Sequence, residues 1–288
     1  MILVTGANGQ LGRRIVEQLV ARRGSASGIA ASVRYPARAA DLAERGIAVR
    51  QADFDRPADL AAAFTGVDKL ILVSTDGPKE VRIGRHRKAI EAARAAGVGH
   101  ILYTSLIDVA TDSPADLAAV HRATEADLAA SGVKFTALRN TLYADFLPMT
   151  VGAALATGVF QLPAGRGRAS FVSRVELAEA AAAAALAPAL ARQVYQLTGQ
   201  ATHDYHEVAA AVARATGRTV RYQPIGEDAY AEELEASGLP GWLASSMTNI
   251  YAAVAAGHFD KASNDFATLV GHPPRPLACL AQELFGRR

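Results

Sequence analysis

Only one cysteine, Cys279, occurs in 288 residues. No intrachain disulfide can form, and a reducing compartment, the cytoplasm, is the expected setting. Cys279 lies in an apolar helical stretch and reads as a packing residue. Aromatic residues are sparse at 6%, and 30 Lys+Arg nearly balance 28 Asp+Glu. The resulting formal net charge of +2 is too small to make nucleic acid the main partner. A local basic cluster, Arg82, Arg85, Arg87 and Lys88, reads as a solvated helix face. Long hydrophobic runs are missing as well. The most apolar stretch, from Leu177 to Ala191, is mostly alanine and is broken by Glu179 and Pro188, so no membrane span is expected. No basic segment precedes the first apolar run, and no signal peptide is expected. A Walker loop, a Cys-x-x-Cys pair, a nucleophile elbow and a zinc-protease motif are all absent. His203-Asp204-Tyr205-His206-Glu207 looks at first like a metal pair. Asp204 three residues before Glu207, ahead of an apolar helix, is instead the pattern of a capping box.

What is present is concentrated at the start. Met1-Ile2-Leu3-Val4-Thr5-Gly6-Ala7-Asn8-Gly9-Gln10-Leu11-Gly12 is an apolar run followed by glycines at three-residue steps that lead into a helical pattern. A strand, a tight turn and a helix N-terminus are the geometry on which a dinucleotide pyrophosphate sits. Gly6 takes the turn, Gly9 lets backbone approach the phosphates, and Gly12 allows close helix–strand packing. Asn8, Gln10 and Leu11 complete the expected cofactor loop.

Strand-like and helix-like segments then alternate. Strands are expected at Ile2 to Thr5, Ser27 to Val33, Ile47 to Arg50, Lys69 to Val73, His100 to Thr104 and Lys134 to Leu138. The helices between them include one from Pro36 to Arg45 and one from Ala115 to Ala130. Short apolar strands with interposed helices call for a parallel sheet covered on both faces. The expected class is α/β, a doubly wound Rossmann sheet with a smaller α+β C-terminal lobe. Residues 1–140 form the expected cofactor-binding core. Residues 141–288 form mainly a substrate lobe, with some segments returning to the core. Further strands are expected at Val194 to Leu197 and Thr219 to Gln223. No linker separates the halves, which predicts intimate packing.

NAD-binding folds place a carboxylate at the end of strand two to hold the ribose hydroxyls. Here that strand ends Ser32-Val33-Arg34-Tyr35-Pro36, Arg38 follows, and the first acid is Asp41. Guanidinium groups bind a 2′-phosphate that a carboxylate repels, so Arg34 and Arg38 argue for NADP(H). For Arg38 the alternative is a solvated helix residue. Asp53 and Phe54 are placed to bind and cover the adenine; a helix cap ahead of Pro57 is the other reading of Asp53.

Alcohol and ketone oxidoreductases on this fold carry a tyrosine four residues before a lysine, and none of the eight tyrosines here does. His121 and Glu125 stand in those positions, one helical turn apart. Either His121 serves beside the nicotinamide with a pKa near neutrality, or the two form a structural pair. Hydride delivery to a quinone yields a delocalised phenolate-type anion, which needs less acid assistance than an alkoxide. Further crevice candidates are Ser74 and Thr75 after strand four, Tyr103, Thr104 and Ser105 closing strand five, and Asn140 and Tyr143 after strand six.

These segments together resemble the NmrA-like branch of the atypical short-chain dehydrogenases. The carriers are Val4 to Gly12, Val33 to Arg38, Val49 to Phe54, Tyr103 to Leu106, His121 to Glu125, Leu138 to Tyr143 and Val270 to Pro273, so nearly the whole chain is covered. Asn8 stands where the family usually has Thr, and Tyr35 where it usually has Asn; neither change is expected to abolish cofactor binding. The resemblance implies NADPH-dependent two-electron reduction of quinones without flavin or metal, with His121, Asn140 and Tyr143 near a small-molecule acceptor. A quinone or a dye-like molecule fits that role, and the protein is expected as a monomer or homodimer. A non-catalytic NADP(H)-binding redox sensor is the alternative within the same branch.

Overall fold

Seven short segments, most of them apolar, line up in parallel to form one central sheet. In the computed structural model, which describes residues 1–286, the chain begins with β1 (Ile2–Val4), α1 (Gln10–Arg23), β2 (Ile29–Val33), α2 (Ala40–Glu44), β3 (Ala48–Gln51) and α3 (Pro57–Phe64). It continues with β4 (Lys69–Leu72), α4 (Lys79–Ala95), β5 (His100–Leu106), α5 (Asp116–Ala130) and β6 (Lys134–Asn140). Shorter pieces follow: β7 (Leu142–Tyr143), α6 (Leu147–Val151), α7 (Ala154–Thr157), β8 (Val159–Leu162), β9 (Arg168–Ala169) and β10 (Phe171–Val172). Next come α8 (Arg174–Leu186), β11 (Val194–Leu197), β12 (His203–Asp204), α9 (Tyr205–Thr216) and β13 (Arg221–Pro224). The chain closes with α10 (Glu227–Ala236), α11 (Gly241–Ala255), α12 (Asp265–Val270) and α13 (Leu277–Phe285).

The central sheet has the order β11-β6-β5-β4-β1-β2-β3, parallel throughout. Successive side chains of a strand point to opposite faces. Val4, Ile71 and Leu102 therefore meet Ile15, Leu19, Leu177 and Phe266 of α1, α8 and α12 on one face. Leu3, Leu70 and Ile101 meet Phe64, Ile90 and Leu128 of α3, α4 and α5 on the other. This is the expected doubly wound fold. Its strand order reverses between β1 and β4, so the ligand crevice opens at the carboxyl ends of these strands.

Several boundaries differ from the sequence expectations, each for a physical reason. β5 and β6 run two residues further, to Leu106 and Asn140, because Ser105 and Leu106 stay in register with Arg139 and Asn140. β11 then pairs Leu197 with Asn140 on the open side of β6. The helix expected from Pro36 breaks into a 3₁₀ turn over Pro36–Ala39 followed by α2. α8, β11 and α12, from the second half of the chain, lie in or against the central sheet. Alanines 178, 181, 182 and 185 of α8 are buried, and such small side chains allow the helix to lie close against α1.

A second core is aromatic. Tyr205 lies 5.7 Å from Tyr222 and 5.8 Å from Tyr251, ring centre to ring centre, with Phe160 at 6.4 Å. β13 adds to β8 beside it. The capping box at Asp204 and Glu207 is present, with both backbone–carboxylate bonds made at 2.8 and 2.9 Å. Cys279 corrects its expectation: it is exposed on α13 rather than packed. Among the described residues no helix is long and apolar enough to cross a membrane.

Candidate cofactor and acceptor site

The glycine turn folds as its spacing requires. Gly6 adopts φ +61°, a conformation that only glycine takes cheaply, and Gly9 N–H donates to Gly6 O at 2.8 Å. α1 starts at once, with Gly9 as its cap residue and no capping side chain among the described residues. A Cβ on Gly12 would lie 2.4 Å from Gly6 O, so only glycine lets turn and helix meet. Asn8 Nδ2 donates to Tyr35 O at 3.1 Å and ties the turn to the end of β2. Gln10 Oε1 accepts from Arg174 at 2.8 Å. Leu11 is buried and offers only backbone. The result is a helix N-terminus with uncapped N–H groups and no acid in its first turn, a cradle that fits phosphate.

At the end of β2, the Arg34 and Arg38 guanidinium groups flank the exposed Tyr35 ring at 6.0 and 5.2 Å. Asp53 lies 3.6 Å from Arg34 Nε and accepts from Asp55 N–H at 3.0 Å. It does not cap α3, whose cap residue is Arg56. Phe54 is buried among Leu60, Leu72 and their neighbours, which leaves little of its ring to cover an adenine.

The β4–α4 connection is pinned from below. Ser74 N–H donates to Thr104 Oγ1 at 2.9 Å, and Thr75 N–H donates to His86 Nε2 at 3.0 Å. Thr124 Oγ1 donates to Val120 O and so accepts from His86 Nδ1 at 2.9 Å. His86 is therefore the neutral Nδ1–H tautomer, and burial with the nearby Arg82 and Arg85 pushes its pKa down to about 3. Ser74 and Thr75 remain half-buried at the crevice, whereas Thr104 is buried beneath them. Arg82, on the same helix, donates from its Nη2 to Ser74 Oγ at 2.9 Å.

This overturns the reading of Arg82, Arg85, Arg87 and Lys88 as one solvated face. Arg85 pairs with Asp55 at 2.6 Å and Arg87 with Asp127 at 3.1 Å, while Arg82 turns inward. His86 was not among the sequence candidates. Its signal was the spacing His86, Ala89, Ile90, Ala93 along the buried stripe of α4.

The expectations for β5 and α5 also change. Tyr103 is fully buried with its hydroxyl hydrogen-bonded to His121 Nδ1 at 2.8 Å, so its side chain is held inside the core and not at the crevice surface. His121 is itself buried, and desolvation, with Arg82 and His86 adding to it, pushes its pKa well below the ordinary value. It is a neutral packing partner and not an acid poised near pH 7. Glu125 does not pair with it. Arg139 engages Glu125 through two bonds of 2.9 and 2.6 Å, and Ser105 donates to the same carboxylate at 2.6 Å. Ser105 thus points into a half-buried ion pair and away from the crevice.

Three buried neutral histidines set an acid limit on stability. His100, hydrogen-bonded to Thr136 at 2.9 Å, has its pKa lowered to about 4 by burial and by Lys134 and Lys69. Below pH 6.5 the unfolded chain binds protons that native His86, His100 and His121 refuse, so stability falls as pH drops. Each contributes roughly 1 kcal/mol per pH unit. Between pH 7.5 and 5 the melting temperature is expected to fall by about 10 °C. A flat melting curve over that range would contradict it.

After β6 the chain builds a shelf. Asn140 is buried and its Nδ2 donates to the Tyr143 hydroxyl at 3.2 Å. The Tyr143 and Phe146 rings are parallel, 5.9 Å apart at 1°. Arg174 lies over both, 5.2 and 4.5 Å from the ring centres. Its backbone N–H donates to Asp145 at 2.7 Å, and its side chain reaches Gln10 of the glycine turn. Phosphate cradle and aromatic shelf are thereby joined by one residue. Phe146 and Arg174 were not anticipated, since they meet only through the fold.

The NAD(P)H-binding family matches residues 6–188 of this chain. The chain belongs to that family. Across its length it is 39% identical to quinone oxidoreductase 2 of Escherichia coli, with 99% of each covered. The crystal structure of that relative with NADPH superposes with a TM-score of 0.94, covering 99% of this chain and 100% of the other. Triphenylmethane reductase of Citrobacter sp. with NADP(H) is 33% identical, with a TM-score of 0.91 and coverage of 99% and 100%. NAD(P)H azoreductase of Xenophilus azovorans is 30% identical over 98% of this chain and 97% of its own. Membership of the NAD(P)H-binding family agrees with the phosphate cradle at Gly6 to Gly12, and the relatives are oxidoreductases, as the sequence resemblance implied.

Proposed function

We propose that this protein transfers a hydride from NADPH to a quinone or a similarly conjugated small-molecule acceptor. When bound, NADPH supplies the hydride, two electrons and a proton together, and leaves as NADP+. The N–H groups of Gln10, Leu11 and Gly12 hold the pyrophosphate, Arg34 and Arg38 the 2′-phosphate, and Ser74 and Thr75 the nicotinamide end. The carrying observation is the pairing of a hydrogen-bonding aromatic shelf, Tyr143 and Phe146, with a crevice that lacks the tyrosine–lysine pair. Where a tyrosine–lysine pair would stand are a neutral buried His121 and a Glu125 bound to Arg139.

A ketone reduced here would leave a strongly basic alkoxide that needs full proton transfer, and Tyr143 has no lysine four residues on to assist one. A reduced quinone is a delocalised anion that water can protonate. Tyr143 has its pKa raised by burial and stays a phenol. Because Asn140 donates to its oxygen, the Tyr143 proton is free to bond an acceptor oxygen. NADPH oxidation should be rapid with quinones and absent with simple ketones. Tyr143→Phe is expected to lower kcat/KM for quinones about tenfold, the worth of one hydrogen bond, with the KM for NADPH unchanged. Tight NADPH binding with no quinone turnover would overturn this reading and favour a redox sensor. The cytoplasm, where the exposed Cys279 stays a thiol, suits it, and the chain would act as a monomer or homodimer.

A further inference from the structure

The crevice holds a cation that its neighbours leave uncompensated. Arg82 Nε is buried and has no hydrogen-bond partner among the described residues. One terminal nitrogen donates to Ser74 Oγ at 2.9 Å. Among the described residues no carboxylate lies within 4.0 Å of its guanidinium. Two other arginines near the crevice differ. Arg85 is paired with Asp55 at 2.6 Å, and Arg174 stands 3.7 Å from Asp145. The groups that act on the Arg82 charge are Tyr103, the exposed Asp76 and Tyr143, with Asp76 not in ion-pair contact. The buried imidazoles His86 and His121 complete its surroundings and are neutral, held so by burial first and by this same cation second.

A buried guanidinium is always charged and is costly without an anion. Its position, between the β4 end and Tyr143, is the acceptor side of the crevice.

We propose that Arg82 sets the charge preference of the acceptor site, favouring acceptors that carry or gain negative charge on an oxygen and disfavouring permanently cationic ones. The inference rests on the acceptor-reductase reading above and adds the substrate class to it. Reduction of a quinone by hydride forms a hydroquinone monoanion, and its second proton comes from water. Arg82 lowers the energy of that monoanion as it forms, as preorganised donors do for other oxyanions. A cationic triarylmethane dye gains hydride at carbon and becomes neutral, so for it the same charge only repels the ground state.

Two measurements decide the matter on the full chain. Arg82→Leu keeps an apolar stem and removes the charge, and Arg82→Lys restores a charge. With NADPH, Arg82→Leu is expected to lower kcat/KM about 100-fold for neutral and sulfonated quinones. It should leave a cationic triarylmethane dye equal or better, and Arg82→Lys should recover part of the loss. Equal loss for every acceptor, or a matching loss of NADPH affinity, would overturn the inference. The second readout needs no turnover. 4-Nitrophenol titrated into the wild-type protein with NADP+ should bind as its coloured phenolate at pH values where free phenol dominates. Arg82→Leu should abolish that shift. A wild type that binds only the neutral phenol, or a shift that survives in Arg82→Leu, would overturn it. If no quinone is reduced by the wild type, the reductase reading fails, and the phenolate titration still decides the role of Arg82.

Discussion

Gly12→Ala is expected to abolish measurable NADPH binding, a loss of at least about 100-fold, and to lower the melting temperature by several degrees. The new Cβ would stand 2.4 Å from Gly6 O, 2.8 Å from Gly6 C and 3.0 Å from Thr5 O. All three are backbone atoms, so no flexible side chain can yield. Either α1 moves outward or the turn opens, and overpacking of this kind costs about 1–3 kcal/mol. Both movements misdirect the N–H groups of the first helical turn, which lose their common focus on the phosphates. Gly9→Ala provides the contrast. Its Cβ would meet only Gly6 O, at 3.1 Å, and its φ of −82° suits any residue. Stability should stay close to wild type while binding weakens, because the methyl group occupies the approach to the phosphates. Fluorescence titration with NADPH and thermal melts of both variants test the pair. Wild-type affinity in Gly12→Ala would remove the cradle assignment.

The parts of this molecule that depend on local chemistry were legible in the sequence. The glycine turn, the alternation of apolar strands and helices and the capping box at Asp204 each follow from neighbours within a few residues. The doubly wound sheet follows in turn, because parallel strands need cover on both faces. Interactions across long separations were not legible. Glu125 stands one turn from His121 and invited a pairing, yet Arg139 from the adjacent strand supplies two better-oriented bonds. Tyr103 sits at a strand end where crevice residues gather, but the alternation of β5 turns it under α4 and α5. Arg174 reaches Gln10 across 164 positions, a contact no periodicity announces. The basic run in α4 shows the same limit. Four charges close in sequence diverge because a helix turns about 100° per residue, and one of them ends inside the crevice.

Arg34→Ala is expected to raise the KM for NADPH about 10- to 100-fold while changing that for NADH by less than about threefold, the scale of charge-assisted bonds to one phosphate. Arg34 has two effects that add. Its guanidinium is nearly half exposed, open to a 2′-phosphate, and is paired with Asp53 at 3.6 Å. Removing it takes away the phosphate's partner and leaves the Asp53 charge unopposed, and that charge repels the same phosphate. Among the described residues Arg38 has no such neighbour and rests on the Tyr35 ring at 5.2 Å, so Arg38→Ala should cost less than Arg34→Ala. Arg34→Ala with Asp53→Asn should then recover part of the lost NADPH affinity, since one of the two effects is reversed. Raising ionic strength should narrow the gap between wild type and Arg34→Ala, because exposed charges are screened beyond about 10 Å at 0.1 M salt. Equal weakening of NADPH and NADH in Arg34→Ala would place Arg34 in the scaffold of the turn. A selective loss, partly rescued by Asp53→Asn, ties the cofactor preference to the balance of charge between these two side chains.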